Sequence, residues 1–255
     1  HMIDAVVAFI RESLPHARTI GVLSTKGTYA TGLYQDALSA AGFVPLFPDE
    51  EGRERVQQAI SNTWLIEEAK WHKGTHDLGF MMNNSFGKAY QLTGERSYKD
   101  VVLQSAKTLI TRYNKKVKSI RSWDHNRDKW KFPVIIDNLM NLEMLFWATQ
   151  ETGDSIYWKV AVNHANTTMK NHFRPDYSSF HVVDYDPETG EVRARQTAQG
   201  YADDSFWSRG QAWALYGYTM CYRFTKNPAY LQQARHIANF FFGPHGYILS
   251  GGYVR

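Results

Sequence analysis

Two stretches of this 255-residue chain are copies of one another, Ala89-Tyr-Gln-Leu-Thr-Gly-Glu-Arg-Ser-Tyr98 and Ala148-Thr-Gln-Glu-Thr-Gly-Asp-Ser-Ile-Tyr157. A looser third copy is Tyr222-Arg-Phe-Thr-Lys-Asn-Pro-Ala-Tyr230. Each copy contains the end of one predicted helix, a turn at a threonine, and a tyrosine near the start of the next helix. Three tandem helical hairpins are therefore predicted, and such hairpins bury their apolar faces by stacking on their neighbours.

Apolar residues recur at helical spacing on both sides of each turn. This spacing predicts helices over residues 80–92, 139–149 and 213–224 before the turns, and over 101–113, 160–172 and 231–242 after them. Residues 62–243 are thus predicted to be mainly α, arranged like a solenoid or an α/α toroid. Residues 244–255 form a glycine-rich tail for which the pattern predicts no structure.

The first 61 residues have a different pattern, that of a small α/β segment. An initial helix and a β-α-β-α unit are predicted: a helix over 3–14, a strand over 19–24, a helix from Gly27-Thr28 to Gly42, a strand over 43–47 and a helix over 50–60. Parallel pairing of the two strands is the default for this element order. The chain is therefore divided into segments 1–61, 62–243 and 244–255.

Composition restricts the function classes. The 43% hydrophobic content allows a sizeable core, and the eight Trp, fifteen Tyr and fourteen Phe fit either core packing or a sugar site. A net charge of +4 suits an anionic ligand. The basic residues are scattered apart from Lys115, Lys116 and Lys118, which we place on a solvated helix end, and no nucleic-acid motif accompanies them. A nucleic-acid partner is not expected.

The single cysteine, Cys221, excludes an internal disulfide and a cysteine-built metal site. No signal peptide and no apolar run of membrane-spanning length is present, so no membrane partner is expected and a cytoplasmic location is predicted. No HExxH pattern occurs, and neither a metal nor a cofactor is predicted.

Three charged residues occupy equivalent places in the hairpins. Asp77 lies 16 residues before Thr93, Asp137 lies 15 before Thr152, and Arg209 lies 16 before Thr225. All three should therefore stand where the first helix of a hairpin begins, at one end of the ring. Taken singly, each aspartate fits an N-cap or first-turn residue better than a catalytic one. Arg209 opposes the helix dipole and so indicates a different purpose, such as binding a carboxylate.

Long polar segments rich in aromatic residues connect these helix starts, and we predict them to be loops. They cover residues 119–132 and 177–208. Structureless segments of this length within a compact domain are usually functional.

Five motifs carry a specific resemblance: Thr75-His-Asp-Leu-Gly-Phe80, Ile136-Asp-Asn-Leu-Met-Asn-Leu-Glu143, Asn163-His-Ala-Asn-Thr-Thr168, Ser179-Phe-His-Val-Val-Asp-Tyr185 and Trp207-Ser-Arg-Gly-Gln-Ala-Trp213. In order and spacing they resemble the unsaturated glucuronyl hydrolases of glycoside hydrolase family 88. The resemblance implies an (α/α)6 barrel, and substrates that are oligosaccharides ending in a 4,5-unsaturated uronic acid. It also implies Asp137 as general acid/base and Asp77 as the second essential carboxylate. The implied substrate-binding residues are His76, Trp123, His181, Gln199, Trp207, Arg209 and Trp213.

The chain departs from that family in two ways. Three hairpins are visible where six close the barrel, so two apolar flanks are expected to be open, and homo-oligomerisation through them is one consequence. Residues 15–60 resemble instead part of the aspartate/glutamate racemase family, although the two cysteines used by those enzymes are missing. The chain is therefore interpreted as a join of two unrelated pieces. The competing hypotheses are an inactive chimeric or truncated protein with at most weak acidic-sugar binding and, less favoured, a racemase-derived module.

Overall fold

The computed structural model describes residues 2–22, 30–47 and 49–243. The chain divides into two compact units, one ending at Trp64 and the other beginning at Leu65. The residues predicted to open the second helix, Gly27-Thr28, and the tail 244–255 lie outside the described residues. The predicted change of pattern at residue 61 falls within the helix Glu50–Trp64. In the described part of the chain, no helix combines the length and the apolar character needed to cross a membrane.

The smaller unit has the predicted α/β order. Its elements are α1 (Met2–Ser13), β1 (Thr19–Gly21), α2 (Leu33–Ala40), β2 (Val44–Leu46) and α3 (Glu50–Trp64). The two strands pair in parallel with Thr19 opposite Val44, which confirms the predicted pairing. Gly42 ends α2 with φ of +84°, a backbone conformation that glycine adopts without strain.

The larger unit is mainly α and forms a partial (α/α)6 toroid built from three hairpins. In the first, a π-helix (Gly79–Gly87) continues into α4 (Lys88–Thr93) and turns back through α5 (Arg96–Ile110). In the second, a 3₁₀ helix (Ile136–Asn141) continues into α6 (Leu142–Thr152) and α7 (Ser155–Asn171). The third consists of α8 (Ser208–Thr225) and α9 (Pro228–Phe242). A short 3₁₀ helix, Glu67–Trp71, precedes them.

The repeated turn has the same hydrogen bonds in all three hairpins. The turn threonine donates its hydroxyl to the carbonyl oxygen four residues earlier, at 2.8 Å for Thr93, 2.7 Å for Thr152 and 2.7 Å for Thr225. The hydroxyl oxygen of the threonine itself accepts the N–H of the residue two positions after the threonine. The residue after each threonine is left-handed. The sequence repeat is therefore a repeat of one helix-ending turn.

The segments predicted as loops contain three of the strands described in the larger unit, Ser119–Ile120, Val182–Tyr185 and Val192–Gln196, and in this respect the prediction was wrong. Strands β5 (Pro133–Ile135), β6 (Val182–Tyr185) and β7 (Val192–Gln196) form an antiparallel sheet in the order β5-β6-β7. A smaller hairpin pairs β3 (Tyr113–Asn114) with β4 (Ser119–Ile120). Lys115, Lys116 and Lys118 lie in the turn between β3 and β4 and not at a helix end.

Both faces of the three-stranded sheet are covered. Val134, Val183 and Tyr185 pack with Val117 and Phe132 on one face. Ile135 and Val182 pack with Trp130 and Trp123 on the other. All four residues of β6 are buried as a result, so the strand lacks the polar alternation that identifies a half-exposed strand.

Candidate active site

The three charged residues that the spacing singled out all lie at helix starts. Asp77 lies two residues before the π-helix, Asp137 is the second residue of the 3₁₀ helix Ile136–Asn141, and Arg209 is the second residue of α8. The N-cap positions of the first two helices belong to Leu78 and Ile135, neither of which makes a side-chain capping bond. The two aspartates are therefore not N-caps.

The first two helix starts are held together by a close approach of backbone to backbone. A Cβ added at Gly79 would lie 2.5 Å from the Asn141 Cα, so a side chain would not fit there. The Phe80 N–H donates to the Asn141 Oδ1 at 2.9 Å. Asn141 is completely buried. This contact places the segments that carry Asp77 and Asp137 side by side.

The start of α8 is pressed against the same 3₁₀ helix. A Cβ at Gly210 would lie 2.7 Å from the Ile136 Cγ2, and one at Gly217 would lie 2.5 Å from the Leu139 Cβ. Gly210 is next to Arg209 and Ile136 is next to Asp137. The packing therefore directs the guanidinium toward the end of the ring where the carboxylates lie.

Asp77 is held in its ionised form. Its Oδ1 lies 3.1 Å from the His76 Nε2, and its Oδ2 accepts the Thr75 hydroxyl at 2.8 Å. The hydrogen bond from His76 is the main reason that the pKa of Asp77 falls to about 2. The side chain is about half exposed, at 50%. Asp77 is thus a negative charge fixed at the edge of the site.

His76 is oriented by a buried relay. Its Nδ1 lies 3.3 Å from the Ser122 hydroxyl, whose oxygen accepts the Ile135 N–H at 2.9 Å. With Ile135 donating to that oxygen, the hydroxyl proton is free to be donated to Nδ1. The Nε2 of His76 then carries its own proton and donates it to Asp77.

Asp137 has the opposite environment. Its Oδ1 is buried and has no hydrogen-bond partner among the described residues, and only 14% of its side chain is exposed. Burial is the main cause that raises the pKa of Asp137, and the nearby charge of Asp77 raises it further. The interactions of Asp137 with His76 and with the Arg209 guanidinium act in the other direction. The pKa of Asp137 is thus raised while that of Asp77 is lowered. Such a difference between two neighbouring carboxyl groups is typical of a general acid beside an ionised carboxylate.

His181 faces Asp137 with a defined tautomer. Its Nδ1 accepts the backbone N–H groups of Ala198 at 3.0 Å and Gln199 at 3.1 Å, so the proton is on Nε2. That Nε2 has no hydrogen-bond partner in the described part of the chain and lies 3.8 Å from the Asp137 Oδ1. Burial, followed by the charge of Arg209, lowers the pKa of His181 to about 4. The neutral ring therefore presents one N–H donor to the site at neutral pH.

Arg209, Gln199 and Trp207 form the outer rim. The Arg209 guanidinium donates to the Gln199 Oε1 at 2.5 Å and lies 4.1 Å from the centre of the Trp207 ring. The Trp207 ring in turn lies 4.6 Å from that of His181. Arg209 is exposed and has N–H groups left for a ligand carboxylate.

The two remaining tryptophans lie further from this network. Trp213 is one helical turn beyond Arg209, and its ring meets that of Phe80 edge-on at 5.0 Å. Trp123 is joined to Thr75 by an antiparallel bridge, which places it beside Asp77, and its ring packs on Trp130. Trp123 Nε1 is buried, and no residue that the structure describes accepts its N–H.

Several residues that build the site were missed from the sequence. Thr75 and Ser122 orient Asp77, Asn141 ties two helix starts together, and Gln211 accepts the Ser179 N–H and donates to the Tyr177 carbonyl. Only Thr75, two residues before an aspartate, has a local signal, that of a side-chain turn. The others act across 13 to 61 residues of chain, and no local pattern marks them.

Within the described ranges, no group of three or more His, Cys, Asp and Glu side chains could hold a metal ion. His72 and His76 are four residues apart but do not lie on a helix, and the His76 Nε2 is paired with Asp77.

No protein-family model matches the chain. The chain is 57% identical over 180 residues to an unsaturated glucuronyl hydrolase of Formosa agariphila, which covers 70% of this chain and 45% of that protein. The chain thus spans about half the length of the curated relatives it matches.

Two solved structures are also similar. An unsaturated glucuronyl hydrolase described as specific for heparin has 44% sequence identity and a TM-score of 0.69, with 83% of this chain and 52% of that chain covered. An aspartate-to-asparagine variant of the Streptococcus agalactiae enzyme, complexed with dGlcA-GalNAc6S, has 31% identity and a TM-score of 0.59 over 74% of this chain and 46% of that chain.

Proposed function

We propose that this chain, which is homologous to the unsaturated glucuronyl hydrolases of glycoside hydrolase family 88, releases a 4,5-unsaturated uronic acid from oligosaccharides produced by polysaccharide lyases. The observation that carries the proposal is the contrast between Asp137 and Asp77. The first is a buried carboxyl with a raised pKa, and the second is a neighbouring carboxylate whose pKa is about 2.

The first step is a proton transfer from Asp137. The double bond of the substrate is an enol ether, so protonation at C4 leaves a cation at C5 that the ring oxygen stabilises. Asp137 supplies this proton in its neutral form, which burial favours. The ionised Asp77 stabilises the positive charge as it develops, because it is held in place before the reaction by His76 and Thr75.

The second step is the addition of water. The Asp137 carboxylate left by the first step removes a proton from a water molecule that adds to C5, and the acid is thereby regenerated. The product is a hemiketal, which opens and expels the leaving sugar. The anomeric carbon is not attacked, so the carboxylate-separation rule of ordinary glycosidases does not apply.

The remaining residues bind the sugar. Arg209 can contact the uronic carboxylate, and its guanidinium is oriented by Gln199 and by the Trp207 ring. The free Nε2–H of His181 points toward the Asp137 carboxyl, where it can hold a substrate oxygen close to the proton donor. Trp123, Trp207 and Trp213 offer flat apolar faces for pyranose rings. Sulfated disaccharides such as the one complexed with the Streptococcus agalactiae variant are candidate substrates.

The test is the decay of the ultraviolet absorbance of an unsaturated disaccharide. The unsubstituted chain should consume the double bond, and Asp137→Asn should slow the decay by about 10² to 10⁴-fold because the general acid is lost. Activity should fall as the pH rises through the pKa of Asp137, since the protonated form is needed. Asp100→Asn, at an exposed site on α5, is the matched control and should leave the rate unchanged.

Constant absorbance with the unsubstituted chain would contradict the proposal and leave the alternative of a non-catalytic protein that binds acidic sugars weakly. An undiminished rate in Asp137→Asn would exclude Asp137 as the acid.

A cytoplasmic location and homo-oligomerisation through the open flanks of the partial toroid remain proposals of this kind. The first is supported by Cys221, a free thiol, which is the form that cysteine keeps in a reducing compartment. The second is supported by exposed apolar side chains such as Leu92, at 73%, and Phe242, at 48%. Light scattering tests the second, and a monomer at all concentrations would contradict it.

A further inference from the structure

A cavity of about 360 Å³ lies outside the candidate active site. It is formed by the C-terminal half of α7, the turn between β3 and β4, and Gly190 in the turn between β6 and β7. The side chains that give it its character are three lysines and three asparagines, Lys116, Lys118, Lys170, Asn163, Asn166 and Asn171. A cavity of this volume can hold a monosaccharide with a charged substituent.

The wall formed by α7 is a polar stripe at helical spacing. Asn163, Asn166, Thr167, Lys170 and Asn171 occupy positions i, i+3, i+4, i+7 and i+8, the spacing that normally marks an apolar face. The opposite side of α7 is packed in the core. There, His164 accepts the Ile120 N–H and is completely buried. The helix thus presents a continuous polar face to the cavity.

The opposite wall, the turn between β3 and β4, is held by hydrogen bonds of the Asn114 side chain to backbone groups and by a close approach at Gly190. The Asn114 Oδ1 accepts the Lys116 N–H at 2.7 Å, and the Asn114 Nδ2 donates to the Pro187 carbonyl at 3.1 Å. A Cβ at Gly190 would lie 2.4 Å from the Lys116 carbonyl oxygen, so only glycine allows this approach. The lysine-bearing turn is therefore anchored to the neighbouring turn, and the cavity has a built wall.

The cavity is positively charged and has unused polar groups. In the described contacts, none of the three lysine ammonium groups forms an ion pair or hydrogen bond, and no carboxylate is among the residues that line the cavity. Asn163 donates its Nδ2 to Tyr113, which leaves its Oδ1 for a ligand. Asn166 accepts the Tyr230 hydroxyl at Oδ1, which leaves its Nδ2. Three cations around one cavity repel each other unless an anion is bound between them.

From this arrangement we infer a second, non-catalytic site that binds a sulfate or phosphate ester carried by a sugar. The lysines pair with the oxyanion, and the asparagine amides bind the sugar hydroxyls. The described residues that line the cavity include no aromatic ring, so the charged group provides the main contact. Because α6 and α7 are antiparallel, the end of α7 at Asn171 lies at the end of the ring where Asp137 begins the second hairpin. The cavity therefore extends toward the end of the ring that carries the candidate active site.

The test is an NMR titration of the ¹⁵N-labelled full chain with glucose 6-sulfate, glucose 6-phosphate and unmodified glucose. The side-chain amide signals of Asn163, Asn166 and Asn171 should shift with the esters and not with glucose. The ester that binds more tightly identifies whether the site is built for a sulfate or a phosphate group. The double variant Lys116→Gln/Lys170→Gln should weaken ester binding at least tenfold. Lys159→Gln, an exposed position on the same helix, is the matched control and should stay within about twofold of the unsubstituted chain.

Three results would overturn the inference: unshifted asparagine amides, equal shifts with glucose, or equal weakening by Lys159→Gln, which would indicate a response to net charge alone. The outcome is independent of hydrolysis. An Asp137→Asn variant should bind the ester as tightly as the unsubstituted chain, so loss of catalysis and loss of this site are distinguishable.

Discussion

The smaller unit leaves nearly all of its described large apolar side chains exposed or only partly buried, whereas the larger unit buries most of its own. Phe9 is 67% exposed, Leu14 56% and Leu46 62%, while Leu109, Ile136 and Phe146 are completely buried. Among the described residues of the smaller unit, the buried hydrophobic residues are Ile3 and Leu38. Two strands and three helices offer few neighbours, and a two-stranded sheet is marginal by itself. The stacked hairpins cover one another instead.

Acidification should produce the largest difference in stability between the two units. Burial lowers the pKa of His164 to about 3 and those of His172 and His181 to about 4, from about 6.5. Above pH 6.5 these histidines are neutral in the folded and in the unfolded chain, so they cost no stability. As the pH falls from 6.5 toward the lower pKa values of the folded chain, the unfolded chain binds protons first and the folded state is destabilised. At pH 4.5 we expect the larger unit to lose about 2 kcal/mol for each of the three histidines.

The measurement is hydrogen exchange of each unit at pH 7 and pH 4.5. The described residues of the smaller unit contain no buried histidine, so its protection should change little. His164→Gln should make the acid loss of the larger unit smaller. An equal acid loss in both units would contradict the assignment.

Truncation of one phenylalanine in each unit tests the difference in burial directly. Phe146 lies against Trp158 and Phe224, with ring centroids 5.0 and 5.3 Å away, so Phe146→Ala should lower the free energy of unfolding by about 3–5 kcal/mol. Phe9→Ala should change it by no more than about 0.5 kcal/mol. Denaturant titration measures both. A large loss in Phe9→Ala would show that another surface covers this side chain in solution.

Removal of one hydroxyl should weaken the site without unfolding the larger unit. Thr75 accepts the Asp77 N–H at 3.1 Å and donates to its Oδ2, and Thr75→Val deletes both bonds. We expect a roughly tenfold loss of hydrolysis, because Asp77 is positioned less well. The pKa of Asp77 should also rise from about 2, which moves the acidic limb of the pH–activity profile upward. Thr219→Val, an exposed position on α8, is the control and should leave the profile unchanged.

The smallest expected difference in stability is between the loss of a helix cap in the larger unit and the loss of a surface ion pair in the smaller unit. Asn227 caps α9 by accepting the Ala229 N–H at 3.0 Å, so Asn227→Ala should cost the larger unit about 1 kcal/mol. Arg55 in α3 pairs with Glu51, but both side chains are largely exposed, at 75% and 71%. Arg55→Ala should therefore cost no more than about 0.5 kcal/mol. Thermal unfolding of the two variants compares them. A larger cost for Arg55→Ala would indicate that α3 depends on this pair.

Local sequence was sufficient for the helices. The turn threonines and the apolar spacing predicted the three helical hairpins, because those signals act within one or two helical turns. The order of the elements around Gly42 predicted the parallel strand pair. The π-helix Gly79–Gly87 and the strand Val182–Tyr185 were not predicted, since both depend on distant partners.

For the candidate site too, the features set by local spacing were predicted and those set by distant contacts were not. The equal spacing of Asp77, Asp137 and Arg209 from their turns placed them at the same end of three helices, and the family resemblance supplied the roles proposed for them. The supports of these residues could not be found in this way. Ser122 reaches His76 across 46 residues, and Asn141 reaches Phe80 across 61. The resemblance of residues 15–60 to racemases stays a prediction.

The contacts of Gly79 with Asn141 and of Gly210 with Ile136 also limit how this protein can be altered. Neither interface has room for one additional methyl group, so a larger residue on either side requires a simultaneous reduction on the other. An engineer who wished to enlarge the substrate range would have to redesign both members of a pair together. Random single-site libraries at these four positions should return few residues larger than the starting ones. At the exposed rim, Gln199 and Arg209 have space for other side chains, and there the proposed contact with the uronic carboxylate, not packing, limits replacement.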